Sequence, residues 1–185
     1  MEDRWNEIVE LAESHEVALH AEDDVRGFAR VNTERDRIAW DRAVPSGDRV
    51  HGVAADLAWV VAQRHIAVGS DSDRELWDHL VEMVEERGLE IMWGIDQPGI
   101  SHGAFFPAVG VIMIEADQPL LILCLVLAHE LGHWIHDPHG TDQGPHIELE
   151  AERHATSVLE GIARRREASG GDSVDETRKA PQMAS

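Results

Sequence analysis

The segment that decides the fold runs from residue 120 to residue 136 and reads LLILCLVLAHELGHWIH. Its first nine residues are apolar on every side, which is typical of a helix in the centre of a protein. Pro119 precedes it, and proline favours the first turn of a helix. We therefore predict a buried helix from Leu120 to His136 or Asp137. Its apolar stretch is far shorter than the about 20 residues of a membrane span.

The second half of this helix carries the motif HELGH. His129 and His133 are four residues apart, so both imidazoles lie on one helix face and can bind one metal ion. Glu130 lies beside them, where it can take a proton from a zinc-bound water. Buried polar side chains cost free energy unless a partner pairs with them, and a metal ion would be such a partner. The motif predicts a zinc site with His129 and His133 as ligands and Glu130 as the catalytic base.

Zinc in a catalytic site needs a third protein ligand. The next predicted helix, from about residue 146 to 165, offers two pairs of polar residues spaced by four: Glu148 with Glu152, and Glu150 with His154. We favour Glu148 as the ligand and Glu152 as the residue that orients the first histidine, with Glu150 as the alternative ligand. His154 is also a candidate for stabilising an oxyanion, because the chain contains no tyrosine.

Composition excludes several classes of function. The 185 residues include 36 acidic and 16 basic side chains, which gives a formal net charge of −20. Such a surface argues against direct nucleic-acid binding and against adhesion to an anionic membrane. The single cysteine, Cys124, excludes an intramolecular disulfide and fits a reducing cytoplasm, and the charged N-terminus does not resemble a signal peptide. Six of the twelve histidines lie between His129 and His154, so the histidine excess is local to the proposed site.

The predicted elements occur in the same order in both halves of the chain: a helix, three short strands and a second helix. With an offset of 72 residues, Trp5 and Val9 align with Trp77 and Val81; with an offset of 74, residues 54–59 (AADLAW) align with 128–133 (AHELGH). With an offset of 79, residues 71–74 align with 150–153. One interpretation is an internal duplication; the other is that two amphipathic helices resemble each other by composition.

These patterns divide the chain into three parts. Residues 1–75 would form a degenerate N-terminal half, in which Ala55 and Trp59 replace the two histidines, so that no zinc can be held there. Residues 76–166 would form the catalytic half. Residues 167–185 are rich in glycine, serine and charge without an apolar period, which predicts a disordered tail.

Four motifs of the second half resemble the ImmA/IrrE family of metallopeptidases over about residues 76 to 163: 103–106 (GAFF), 111–114 (VIMI), 127–136 (LAHELGHWIH) and 148–155 (ELEAERHA). The last motif departs from the family pattern, because Glu152 replaces an Asn or Asp and His154 replaces a Phe. The resemblance implies a gluzincin-like site with zinc bound by His129, His133 and Glu148 and with Glu130 as the base. It also implies cleavage of a regulatory protein, such as the DNA-binding repressor of a phage or mobile element.

The resemblance also implies an α+β, zincin-like fold, with a small mixed sheet packed on the HExxH helix. In zincins a strand beside the site pairs with the substrate backbone. That strand would here consist of Val109, Gly110, Val111, Ile112, Met113 and Ile114.

The function expected from the sequence is that of a cytoplasmic zinc metalloendopeptidase. Two alternatives stay open: a non-catalytic, zincin-like regulator or antirepressor that acts by protein contact around a structural zinc, and a metal-dependent hydrolase of non-peptide substrates. A fourth protein ligand would favour the contact regulator, and an open coordination position would favour the peptidase.

Overall fold

The computed structural model describes residues 2–23, 25, 29–32, 36–95, 102–141 and 144–170. In these residues the chain forms a mixed α+β structure of five helices and two small three-stranded sheets. The elements are, in order, α1 (Glu2–Ser14), β1 (Ala18–Glu22), β2 (Ala29–Asn32), β3 (Arg37–Asp41), α2 (Ser46–Val68), α3 (Asp71–Glu85), β4 (Glu90–Gly94), β5 (Gly103–Phe106), β6 (Val111–Glu115), α4 (Leu120–His136) and α5 (Pro145–Gly170).

The two sheets have the same topology. The first has the strand order β1-β3-β2, with β1 parallel and β2 antiparallel to the central β3. The second has the order β4-β6-β5, with β4 parallel and β5 antiparallel to the central β6. The mixed character expected from the sequence is confirmed, but there are two separate sheets, one in each half of the chain.

The position of β6 corrects the expectation about the substrate strand. β6 forms hydrogen-bonded pairs on both sides, so it has no free edge to which a peptide could be added. Val109 and Gly110 precede β6 in a turn, where Gly110 has a φ of +67°. In the described part of the second sheet, the antiparallel strand with a free edge is β5.

The repeat extends to strand pairing and register. Ala29, the first residue of β2, and Gly103, the first residue of β5, are 74 residues apart. The same offset separates Ser46, where α2 begins, from Leu120, where α4 begins. It also carries the pair Ala29–Trp40 onto the pair Gly103–Ile114. Both helices follow a proline of nearly the same conformation, with φ −54° and ψ 146° at Pro45 and φ −54° and ψ 145° at Pro119. This agreement favours duplication over a chance likeness of two amphipathic helices.

Helix α5 has no counterpart after α2, because α3 begins the second unit there. α3 packs on α4 as α1 packs on α2. The sequence match of residues 71–74 with 150–153 therefore does not correspond to equivalent positions in the fold. α3 begins at Asp71, where Ser70 caps it by accepting a hydrogen bond from the Asp73 backbone N–H at 3.2 Å.

The core of the second half holds the HELGH helix against its sheet. Leu123, Leu127 and Leu131 recur every four residues on α4 and are fully buried in one cluster with Ile112 and Ile114 of β6. Burial of each such side chain contributes about 1.5–3 kcal/mol. The apolar stripe therefore fixes which face of α4 is left for the polar motif.

A second buried cluster, around α2, holds the first half together. Trp93 of β4 packs against both clusters and stacks on Trp77 with ring centroids 5.5 Å apart, so it joins the two halves. At the C-terminal end, α5 continues to Gly170, four residues into the predicted tail, and residues 171–185 lie outside the described residues. Among the described helices, none combines the length and the apolar character that crossing a membrane requires.

Candidate metal centre

The last two turns of α4 bring two imidazoles together. The Nε2 atoms of His129 and His133 are 3.1 Å apart, and their ring centroids are separated by 4.8 Å. The side chains are 25% and 18% exposed, so both are accessible to a ligand. This geometry is the one predicted from their spacing of four residues.

Glu148, in the first turn of α5, completes the group. Its Oε2 lies 3.4 Å from His129 Nε2, and its Oε1 lies 3.5 Å from His133 Nε2. Tetrahedral zinc, with bonds of 2.0–2.1 Å, separates its ligand atoms by about 3.3–3.4 Å. The three side chains therefore fit a zinc ion with little adjustment, and together they form a group that could hold a metal. Within the described residues, no fourth His, Cys, Asp or Glu joins this group.

Close packing of α4 on α5 brings Glu148 to the histidines. A Cβ atom added to Gly132 would lie 2.6 Å from the Ala151 Cα and 2.9 Å from the Ala151 carbonyl oxygen. Contacts this short involve backbone atoms, which cannot rotate away. Gly132 thus allows the two helix backbones to approach, and Ala151, itself fully buried, is small enough for the same contact.

The two other acidic candidates on α5, Glu152 and Glu150, have different partners. Glu152 Oε2 lies 3.5 Å from His129 Nδ1, on the ring edge opposite the metal-facing nitrogen. A carboxylate in that place orients a ligand histidine and increases its basicity. Glu150 instead pairs with Arg153 at 2.6 Å, as an ordinary surface ion pair. The geometry therefore favours Glu148 over Glu150 as the third ligand.

Glu130 lies beneath the edge strand β5. It is only 7% exposed, and burial is the main cause that raises its pKa to about 7. His129 and the Phe105 backbone N–H, which donates to the carboxylate, lower this pKa, whereas Glu148 raises it. Gly103, the first residue of β5, leaves room for the carboxylate and for Val126, since a Cβ there would lie 3.3 Å from Glu130 Oε1 and would clash with Val126 Cγ1.

Sequence reasoning did not assign Gly103 and Phe105 to the site. The signal for them was the glycine that begins the short apolar strand, but a glycine in a strand has several possible causes. Only the packing of β5 across α4 shows that Gly103 borders the Glu130 carboxylate. The same packing shows that Phe105, two residues further along β5, supplies a backbone N–H to that carboxylate.

His154 lies in a different environment from the candidate metal group of His129, His133 and Glu148. Its Nε2 is buried without a hydrogen-bond partner, and burial lowers its pKa, with smaller contributions from His136 and Arg87. The Arg87 guanidinium lies 5.5 Å from the centroid of the Trp134 ring. The charges that act on His154 are therefore those of Arg87, just after α3, and His136, at the end of α4. In the described residues, no contact links His154 to His129, His133 or Glu148. The geometry does not support a role for His154 in stabilising an oxyanion.

Comparisons with protein-family models, with curated proteins and with solved structures gave no match. What supports a function for this chain is therefore the chemistry of the site.

The assignment of the third ligand predicts a difference between two neighbouring glutamates. Glu148→Gln should weaken zinc binding by about 10- to 100-fold or more, because an amide oxygen is a poorer zinc ligand than a carboxylate. Glu150→Gln removes the same charge from the same helix and should leave the affinity nearly unchanged. Competition with a chromogenic chelator measures both constants. Equal losses in the two variants would contradict the assignment.

The burial of His154 predicts a change in acid stability. Since its pKa in the folded protein lies below the ordinary value of 6.5, the unfolded chain takes up the proton first, and stability is lost as pH falls below about 6.5. His154→Phe removes this titration, so its free energy of unfolding should fall less than that of the wild type between about pH 7.5 and pH 5. Urea denaturation at both pH values tests this, and parallel losses would show that His154 is not the group involved.

Proposed function

We propose that this protein is a zinc-dependent metalloendopeptidase that hydrolyses a peptide bond in a regulatory protein, with Glu130 as the base. The observation that carries the proposal is the position of Glu130, which lies next to a three-residue ligand group and directly under the free edge of β5. A metal site closed by four protein ligands would instead be typical of structural zinc.

The residues divide the reaction among them. Zinc bound by His129, His133 and Glu148 would supply Lewis-acid chemistry at the scissile carbonyl and the attacking water. Glu130 accepts the proton of that water and then delivers it to the leaving amine, so that no free charge is released into the partly buried site. Glu152 holds the imidazole of His129 in the orientation and tautomer that leave Nε2 available as a ligand.

The substrate binds as an added strand at β5. The backbone groups on the free edge of β5 pair with an extended peptide and align its scissile bond with Glu130. This role belongs to Gly103–Phe106 rather than to Val109–Ile114, because among the described strands of the second sheet β5 is the one that combines a free edge with a backbone contact to Glu130.

A basic protein is the substrate class that fits the charge of this chain. With a formal net charge of −20, the protein attracts partners that present a positive surface and repels acidic ones. A DNA-binding repressor has such a surface, because it must neutralise phosphates.

Metal removal tests the proposal directly. Purified protein should contain about one zinc per chain, as three protein ligands and one open position predict. Dialysis against a chelator should abolish cleavage of a quenched-fluorescence peptide library, and added zinc should restore it. Zinc bound at this ratio without cleavage of any library member, or of a candidate repressor, would overturn the peptidase proposal and favour a regulator that acts by contact.

A further inference from the structure

We propose that the N-terminal half contains a second, metal-free groove, between the free edge of β2 and helix α2, that binds an extended peptide segment through a basic side chain. This site does not depend on the metal centre, and its occupant is distinguished from the cleaved segment by the experiment below.

The groove follows from the repeat. β2 is the antiparallel edge strand of its sheet, as β5 is in the other half, and its pairs with β3 leave the outer edge free in the described residues. The offset of 74 that carries β2 onto β5 also carries Asp56 onto Glu130. Helix α2 packs on β2 as α4 packs on β5. The first half therefore retains an edge strand and, at the position equivalent to Glu130, a carboxylate on the helix that packs on this strand.

The metal-binding features are missing from this groove. Ala55 and Trp59 occupy the positions of His129 and His133, and no helix equivalent to α5 follows α2 to supply a glutamate. Both side chains are exposed, Trp59 by 38%. The face of α2 that corresponds to the proposed zinc-binding face of α4 is therefore apolar and exposed to solvent.

Asp56 indicates the chemistry of the occupant. Its Oδ2 has no hydrogen-bond partner and almost no contact with solvent, and burial raises the pKa of its carboxyl. Glu130, which is one methylene longer, receives the Phe105 N–H; Asp56 has no such donor at Oδ2. Burying an ionised carboxylate oxygen without a hydrogen-bond partner costs free energy. A cation placed beside the carboxylate would offset this cost.

An Arg or Lys side chain in an added strand satisfies these features together. Its backbone pairs with the edge of β2, its cationic group approaches Asp56, and Trp59, three residues further along α2, offers a ring face for a cation–π contact. The charge of this half agrees, since residues 1–75 contain 17 acidic and 9 basic residues. The occupant is thus an extended basic segment, held where no hydrolysis can occur.

Fluorescence anisotropy with two labelled nonapeptides tests the proposal. One alternates Arg with Thr, and the matched control alternates Glu with Thr. The full-length chain carrying His129→Ala, which disables the metal centre, should still bind the Arg peptide, and the Glu peptide should bind at least about tenfold more weakly.

Adding Asp56→Asn to that chain should weaken binding of the Arg peptide by about tenfold, and Trp59→Gln by a smaller factor. Asp56→Asn keeps the shape of the side chain and removes an unpaired charge, so it should fold at least as stably as its parent, as thermal unfolding will show. The proposal is overturned if the Arg peptide does not bind, if it binds equally to the Asp56→Asn chain, or if His129→Ala abolishes its binding. Loss of cleavage with intact peptide binding would affect only the peptidase proposal.

Discussion

Glu130→Gln is expected to lower the rate of peptide-bond hydrolysis by about 10²- to 10⁴-fold, the usual contribution of a positioned general base. The amide has nearly the same shape as the carboxylate and keeps the contact with β5, but it cannot accept the proton of the attacking water. Zinc content should stay near that of the wild type, because the proposed ligand atoms belong to His129, His133 and Glu148 and not to Glu130. Steady-state cleavage of a library-selected peptide, together with zinc analysis of the same sample, gives both quantities.

Glu150→Gln is the matched control for Glu130→Gln. It makes the same chemical change at a partly exposed residue whose partner is Arg153, outside the candidate ligand group. Its cleavage rate should remain within about twofold of the wild type, as is usual for surface substitutions. A Glu130→Gln enzyme that cleaves as fast as this control would rule out Glu130 as the base.

Gly132→Ala is expected to have the largest effect on the structure of the metal centre. The added methyl group meets the backbone of Ala151 at 2.6 Å, so α5 must move away from α4. Overpacking of this kind typically costs about 1–3 kcal/mol. Because Glu148 and Glu152 move with α5, zinc affinity should also fall, by about 10- to 100-fold, as it does when the orienting partner of a ligand is lost.

Gly161→Ala separates this packing effect from a general effect of glycine on helices. A Cβ at Gly161, in the same α5, would have no neighbour within 4 Å. Alanine there should stabilise the protein by about 0.5–1 kcal/mol through its higher helix propensity and leave zinc affinity unchanged. Urea unfolding and chelator competition on both variants measure the two effects. Unchanged zinc affinity in Gly132→Ala would show that helix proximity does not control the position of Glu148.

The repeat shows how far local pattern extends in this chain. Element order and the offsets of 72 and 74 residues are properties of the sequence, and the strand pairs follow them closely. The match of residues 71–74 with 150–153, at an offset of 79, does not correspond to equivalent helices. Helix composition alone does not determine which helix packs on which. α3 resembles the start of α5 in charge, but its apolar face, with Leu76 and Leu80, is buried against the core of the second half.

The sequence by itself determined the central helix and the two histidines of the candidate metal group, because the spacing of four between His129 and His133 and the apolar period of residues 120–131 both act within one helix. Only the tertiary structure decided between Glu148 and Glu150, because both lie on α5 and the close approach of Gly132 and Ala151 sets which of them faces α4. It also decided that β5, not β6, offers the edge beside Glu130. Both choices depend on contacts between segments far apart in the chain, which hydrophobic periodicity does not encode.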